Sequence, residues 1–292
     1  GEFQAKVSMT DFPMEVLQLF VPGISKTTGK LNAEAIYLGG PFNRMGMSGS
    51  AQVDGQFQLD YLKALFYIPD QTIKLTNYQL WADSVTIYDA GRHAAIVQGG
   101  LRHNHFQDWT LDCRIRSVRN DFMMLNTLSI DNELFYGQGI GQFDASFTGS
   151  FSRTNIVINA VTGKDTRLYI PLGSNADIQA ASFINFKDKN TDQSSGKTKS
   201  FVFEELKGLN LEMNLTITDE AEVQLIFDEK SGDIVKGRGE GDIRMTINRE
   251  GEFKMYGTYQ IQRGEYLFTL LNWVNKPFTV AEGGNINWSG DP

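Results

Sequence analysis

Two histidines close together in the sequence are the first residues that could take part in chemistry. His103 and His105 are two positions apart, which would put both imidazoles on one face of a strand, where a metal ion could bind them. No cysteine or further histidine is near them to complete a set of ligands. Two solvated histidines beside Arg102, at the end of a strand, are therefore the better interpretation, and we predict no metal site.

The single cysteine, a glycine-rich segment and an acidic cluster are the other candidates. Cys113 lies on the apolar side of an alternating segment, where burial would raise the pKa of the thiol and weaken it as a nucleophile. Gly237–Gly241 suggests a phosphate-binding loop but is not followed by a helix start, so a bulge or a close backbone approach is favoured. The acidic cluster is interpreted as a solvated, charged turn formed by Asp219, Glu220 and Glu222. The sequence predicts no catalytic site and no cofactor.

Composition excludes further classes of function. The chain has 292 residues, 27 Lys and Arg against 35 Asp and Glu, and a formal net charge of −8. An acidic chain without a basic cluster is a poor nucleic-acid binder. No apolar run approaches the roughly 20 residues that a membrane-spanning helix needs.

Alternation of apolar and polar residues indicates strands along almost the whole chain. The repeating unit is two residues, as in Leu209–Ile217, which is typical of an antiparallel sheet with one wet face. Early strands are predicted at 31–38, 49–53, 56–61, 80–88 and 94–102. Asp11 and Pro13 give a helix-start signal. A short amphipathic helix is predicted from there to Pro22-Gly23, with Met14, Leu17, Phe20 and Val21 on one face.

The same alternation assigns side chains to the two faces of the sheet. A shift of one residue would reverse every assignment, so the prediction is strict. We expect one concave apolar face to contain Leu111, Ile115, Phe143, Phe147, Leu211, Met213, Leu215, Ile243, Met245, Met255 and Tyr259. The opposite face should contain Arg114, Arg116, Glu212, Arg244 and Lys254.

The C-terminal third carries motifs that resemble a known family. The pattern Gly-Thr-Tyr-x-Ile-x-x-Gly-x-Tyr-x-Phe-x-Leu occupies Gly257–Leu270, and Gly-Gly-x-Ile-x-Trp-x-Gly-Asp-Pro closes the chain. Residues 203–292 resemble the C-terminal region of TamB, the translocation and assembly module family of the AsmA-like superfamily, in its Bacteroidota form. The segment around Phe12-Pro13 and the following Gly29-Lys30-Leu31 resembles the family more loosely.

The resemblance implies an all-β, elongated, taco-like and mostly antiparallel sheet with a concave apolar groove. Such proteins are thought to carry phospholipid acyl chains across the periplasm, between the inner and outer membranes. They are also thought to support outer-membrane protein assembly with an Omp85-class barrel partner. The eleven apolar residues above would then contact lipid. Family members begin with an inner-membrane anchor, which would lie outside this fragment.

One continuous β-groove fragment over 1–292 is the expected domain organisation. A strand with the short helix at 3–23 precedes a first groove part at 29–186, a mobile loop at 187–200, and the family-like part at 201–292. Two other functions stay open: an assembly factor that binds outer-membrane protein strands by strand addition, and a polysaccharide-acting β-helix protein. A closed β-sandwich core would fill its interior with the same apolar residues.

The loop predicted at Lys187–Ser200 yields the first test. Its sequence, KDKNTDQSSGKTKS, contains no apolar residue, so it has nothing to bury. Deleting it should hardly change the melting temperature, because loop closure depends only weakly on length. A large loss of stability in thermal denaturation would instead show that the segment covers the groove or a strand edge.

Overall fold

The fold is almost entirely β-strand. The computed structural model describes residues 1–19, 21, 23–132, 135–171, 208–228, 232–270 and 274–290. Its seventeen strands are Glu2–Pro13 (β1), Ile24–Pro41 (β2), Gly46–Leu59 (β3), Ala64–Thr76 (β4), Gln79–Tyr88 (β5), Ala94–Asn104 (β6), Gln107–Ser117 (β7), Phe122–Thr127 (β8), Tyr136–Ser150 (β9), Arg153–Thr162 (β10), Arg167–Pro171 (β11), Asn210–Ile217 (β12), Glu222–Asp228 (β13), Asp233–Ile247 (β14), Phe253–Leu270 (β15), Val274–Val280 (β16) and Gly284–Gly290 (β17).

All seventeen strands belong to one sheet. Neighbouring strands are antiparallel, except for the parallel pairs β10–β12 and β11–β13. Four positions in the sheet are shared by two short strands that lie end to end along one long neighbour: β7 and β8, β10 and β11, β12 and β13, and β16 and β17. The sheet has thirteen strand positions, and the twelve spacings between them, at about 4.8 Å each, give a length of about 58 Å. This pairing is that of an antiparallel sheet and excludes a parallel β-helix.

One face of this sheet, the inner face, is apolar along its length. Strand register brings apolar residues opposite one another on successive strands, so that rows of side chains run across the sheet. The clearest row crosses six strands through Ile115, Ala145, Ile158, Met213, Met245 and Met255. The alternation seen in the sequence therefore becomes one continuous apolar surface.

The inner face is buried by the sheet itself. Ile247 is 0 % exposed and Tyr259 is 1 % exposed, although the only helix in the described part of the chain is the six-residue 3-10 helix Met14–Leu19. Since no second layer covers them there, the sheet must curve so that side chains of one face pack against each other. One cluster indeed joins Leu168 of β11 and Val223 of β13 to Met255 of β15.

The curvature coincides with a line that we call the crease. It passes through the junctions of the end-to-end strands, at 118–121, 163–166, 218–221 and 281–283. Between β14 and β15 the crease is a bulge, where Arg238 pairs with Arg263 but Gly239 pairs with Ile261. A Cβ on Gly239 would lie 2.0 Å from the Gln260 carbonyl oxygen, so only glycine allows this approach.

Buried hydroxyl groups replace the missing backbone hydrogen bonds at the crease. The Thr166 hydroxyl donates to the Ile140 carbonyl oxygen (2.6 Å) and accepts from the Ile140 N–H (3.1 Å). The Thr162 hydroxyl accepts from the Thr218 N–H (2.9 Å), and the Ser117 hydroxyl accepts from the Phe143 N–H (2.9 Å). Bending a sheet would otherwise leave these buried groups unpaired, at a cost of about 1–3 kcal/mol each.

Two expectations about the N-terminal third need correction. The predicted amphipathic helix is found only as the 3-10 helix, in which Met14 alone is buried. The predicted strands 49–53 and 56–61 form one strand, β3, because Gly55 does not make a turn but packs against the Thr28 carbonyl and Met14. Strand β4 was not predicted.

The mobile loop predicted at 187–200 lies outside the described residues. No helix in the described part of the chain is long and apolar enough to span a membrane.

Removing the Thr166 hydroxyl tests the role of the crease. Thr166→Val keeps the shape of the side chain but leaves the Ile140 N–H without its partner, so we expect a loss of about 1–3 kcal/mol in the free energy of unfolding. Thr148→Val, on an exposed residue of β9, is the matched control and should stay within about 0.5 kcal/mol. Equal effects in urea denaturation would contradict the proposed role.

Candidate functional site

The inner face is the candidate functional site, and the eleven apolar residues predicted for it all lie on it. Register places each of them in a cross-strand row with inner-face neighbours, from Leu111, opposite Gly149, to Tyr259, opposite Gly241 and Ile286. Phe147 is opposite Cys113 and Ile156, and Leu211 is opposite Ile156 and Ile247. Contact of these residues with lipid stays a prediction.

Burial divides the eleven residues into two groups. Leu211, Ile243, Met245, Met255 and Tyr259 are 5 % exposed or less, as in a closed core. The other group is half-buried and consists of Leu111, Ile115, Phe143, Phe147, Met213 and Leu215. The inner face is therefore closed along β14 and β15 and at Leu211 of β12, and it is more accessible at the half-buried residues of β7, β9 and β12.

The closed part has a physical cause in the opposite wall. Beyond the crease, Leu168 and Ile170 of β11 and Val223 and Leu225 of β13 present a second apolar surface to the same cluster. Sequence reasoning did not assign these residues to the site. Their alternation was visible as Leu-x-Ile and Val-x-Leu, but it could not reveal that they face the predicted wall.

The charged residues predicted for the other face do lie there. Arg114, Arg116, Arg244 and Lys254 are exposed, and Glu212 is half-buried. Arg244 pairs with Glu212 at 3.3 Å, and Arg114 pairs with Asp144. The Arg114 guanidinium, chiefly by hydrogen bonding, lowers the pKa of the Asp144 carboxyl group.

These ion pairs share one geometry on the outer face. Arg244 is directly opposite Asn214 and bonds Glu212, two residues further along the neighbouring strand. Such diagonal partners are within reach of long side chains. The same arrangement holds for Lys30–Asp11, Lys74–Asp83, Arg102–Asp112, Arg114–Asp144 and Lys236–Glu222.

The two histidines do not form a common site. Residues His105 and Phe106 have left-handed φ angles of 49° and 66°, which turn the chain between β6 and β7. As a result His103 is buried against Phe106 and Trp109, with ring centroids 5.1 Å and 4.6 Å away. The expectation of two solvated histidines is wrong for His103, while His105 Nδ1 lies 3.1 Å from the Met45 carbonyl oxygen.

The remaining chemical candidates have structural roles. Burial raises the pKa of the Cys113 thiol to about 11, which makes it a poor nucleophile. Gly237–Gly241 lies within β14, beside a bulge whose extra residue is Gln262 of β15, and Gly239 makes the close backbone approach that was predicted as one alternative. Asp219 and Glu220 are exposed, and Glu222 pairs with Lys236 at 3.5 Å. No group of three or more potential metal ligands occurs among the residues that the structure describes.

Comparison with known proteins gives one finding. A family model described as the TamB C-terminal domain matches residues 83–292, which is well over half of the chain. Neither the curated proteins nor the solved structures give a match.

A pair of adjacent substitutions tests which part of the inner face is closed. Met255→Asp places a carboxylate at a position that is 1 % exposed, and we expect a loss of more than about 3 kcal/mol in the free energy of unfolding. Lys254→Asp, one residue earlier on the outer face, should cost less than about 1 kcal/mol. Chemical denaturation measures both, and a mild effect of Met255→Asp would mean that water reaches this part.

Proposed function

The chain belongs to the TamB family, and from that premise we propose that its inner face is a hydrophobic groove that carries phospholipid between the inner and outer membranes. The family is a non-enzymatic transport and assembly family of the cell envelope and works with an outer-membrane partner module. We propose that this protein acts in the periplasm, anchored in the inner membrane, and supports outer-membrane protein assembly with an Omp85-class barrel.

The observation that supports this proposal is the continuity of the inner face. Apolar rows cross β7, β9, β10, β12, β14 and β15 of one sheet, and the described outer face carries the ion pairs. A globular protein needs such a face only as a core. A transport protein also needs it as a track, because apolar cargo can slide along a surface that makes no directional bonds.

The energetics favour a track of this kind for phospholipid. A diacyl lipid has about 30 methylene groups, and exposing each to water costs roughly 0.8 kcal/mol, so an unshielded crossing would cost about 25 kcal/mol. The inner face removes most of that cost if each acyl chain is covered along its length. At about 58 Å, the sheet is longer than the roughly 30 Å hydrocarbon core of a whole bilayer.

The half-buried stretch is the part that we assign to lipid contact. Phe147, Ile156 and Met213 lie there on three adjacent strands, β9, β10 and β12. Their partial exposure leaves apolar surface that a bound acyl chain would cover. Methionine side chains suit irregular and moving cargo, because three rotatable bonds let them follow its shape.

A second candidate function rests on one edge of the sheet. Strand β1 is twelve residues long, and in the described chain it pairs with β2 alone. The opposite edge is better protected, since β16 and β17 are seven residues each and β16 contains Pro277. A strand of an unfolded outer-membrane protein could add to β1, which would make the chain an assembly scaffold.

Photo-crosslinking tests the lipid groove directly. A photoreactive amino acid at position 147, on the inner face, should crosslink to phospholipid in the full-length protein, as detected by mass spectrometry. The same residue at position 148, on the outer face and exposed, is the control and should give little lipid adduct. Equal yields at both positions would contradict the groove, whereas crosslinks to unfolded barrel proteins near β1 would favour the scaffold.

A negative charge at position 147 tests lipid transport. Phe147→Asp should lower lipid crosslinking at a neighbouring inner-face position by at least about tenfold, because a carboxylate opposes apolar cargo. The fold should persist, since a half-buried carboxylate can remain hydrated. Loss of cooperative melting would favour a closed core at Phe147, and wild-type lipid yields in a folded variant would end the proposal for this segment.

A further inference from the structure

The Tyr259 hydroxyl lies buried in the apolar inner face without a partner. The Tyr259 side chain is 1 % exposed, and its hydroxyl makes no hydrogen bond in the structure. A buried hydroxyl left unpaired lowers the stability of the fold, a loss that phenylalanine would avoid at this position. The atom is therefore an unused hydrogen-bonding group inside the proposed track.

The residues around Tyr259 explain why no partner is present. Across the strands its inner-face neighbours are Gly241 on β14 and Ile286 on β17, and along β15 they are Gly257 and Ile261. None of these four side chains can form a hydrogen bond. The Arg238 guanidinium is close enough for its charge to act on the phenol, and it donates a hydrogen bond to the Glu220 carbonyl oxygen at 2.7 Å.

We propose that the Tyr259 hydroxyl is a binding contact for the cargo and donates a hydrogen bond to an ester carbonyl oxygen of a diacyl glycerolipid. This inference rests on the proposed lipid groove and adds to it a residue that recognises the polar end of the acyl chains. An ester carbonyl fits because it is an acceptor that lies directly beside apolar methylene groups. The hydroxyl, in the closed part of the inner face, would hold that end while the half-buried stretch covers the chains.

The protonation state of Tyr259 suits a donor. Burial raises the pKa of the phenol to about 12, so the hydroxyl keeps its proton over the whole physiological range. Neighbouring side chains cover the hydroxyl, so cargo reaches it by displacing them.

The test compares an ester lipid with its ether analogue. Binding of diacyl phosphatidylethanolamine and of the matching dialkyl ether lipid, which lacks the carbonyl oxygens, is measured on the 1–292 chain by competition in mixed micelles. The wild type should prefer the ester lipid by about two- to tenfold, the range that one hydrogen bond provides. Tyr259→Phe should abolish this preference without lowering the melting temperature, because no internal bond is lost.

Tyr256→Phe is the matched control. Tyr256 lies on the same strand with its side chain on the exposed outer face, so this variant should keep the preference for the ester lipid. The inference is overturned if Tyr259→Phe keeps the preference, if the wild type binds both lipids equally, or if Tyr259→Phe melts well below Tyr256→Phe, which would show an internal partner. Binding of neither lipid by the wild type would overturn the proposed function as well.

Discussion

The structure depends on one constraint: a single sheet with one apolar face must bury that face by itself. Apolar surface gains roughly 25 cal/mol per Å² when it leaves water, so a face about 58 Å long cannot stay flat and exposed. In the described chain the 3-10 helix contributes only Met14, with half-buried Val16 and Leu17, to a small cluster with Leu31 and Val53. Curvature brings β11 and β13 into the same cluster as β14 and β15, and the sheet becomes its own second layer.

Bending a sheet breaks backbone hydrogen bonds, and the crease shows how this chain replaces them. Thr166, Thr162 and Ser117 are 5 % exposed or less, and each hydroxyl serves a backbone group of another strand. Asp89 does the same at the end of the β5–β6 hairpin, where its carboxylate accepts from the Met123 N–H at 2.7 Å. These four polar side chains in the interior are therefore tied to curvature, whereas the Tyr259 hydroxyl serves no backbone group.

The outer face solves a different problem. Diagonal ion pairs such as Arg244–Glu212 and Arg114–Asp144 are solvent-exposed, so each contributes little to stability. Their main effect is on register, because a shift of one residue would bring these charges into the apolar face. Charge on one side and apolar rows on the other thus fix the same alignment of strands. That alignment is what a continuous track for lipid requires.

The sequence by itself determined which residues share a face, and only the tertiary structure decided how closed that face is. Side chains alternate with a period of two in any strand, so alternation alone assigns Leu211, Met245 and Tyr259 to the same face as Phe147. Whether each is open depends on the opposite wall. Met255 is 1 % exposed and belongs to the cluster that includes Leu168 of β11 and Val223 of β13, whereas Phe147 lies outside that cluster and is half-buried. Local sequence signals were wrong at two positions where distant contacts override them. The break predicted between the strands 49–53 and 56–61 is absent, because Gly55 allows a close approach to Met14. His103 was expected to be solvated but packs on Trp109. The parallel pairing of β10 with β12 also could not be predicted from the sequence, because it joins segments more than fifty residues apart.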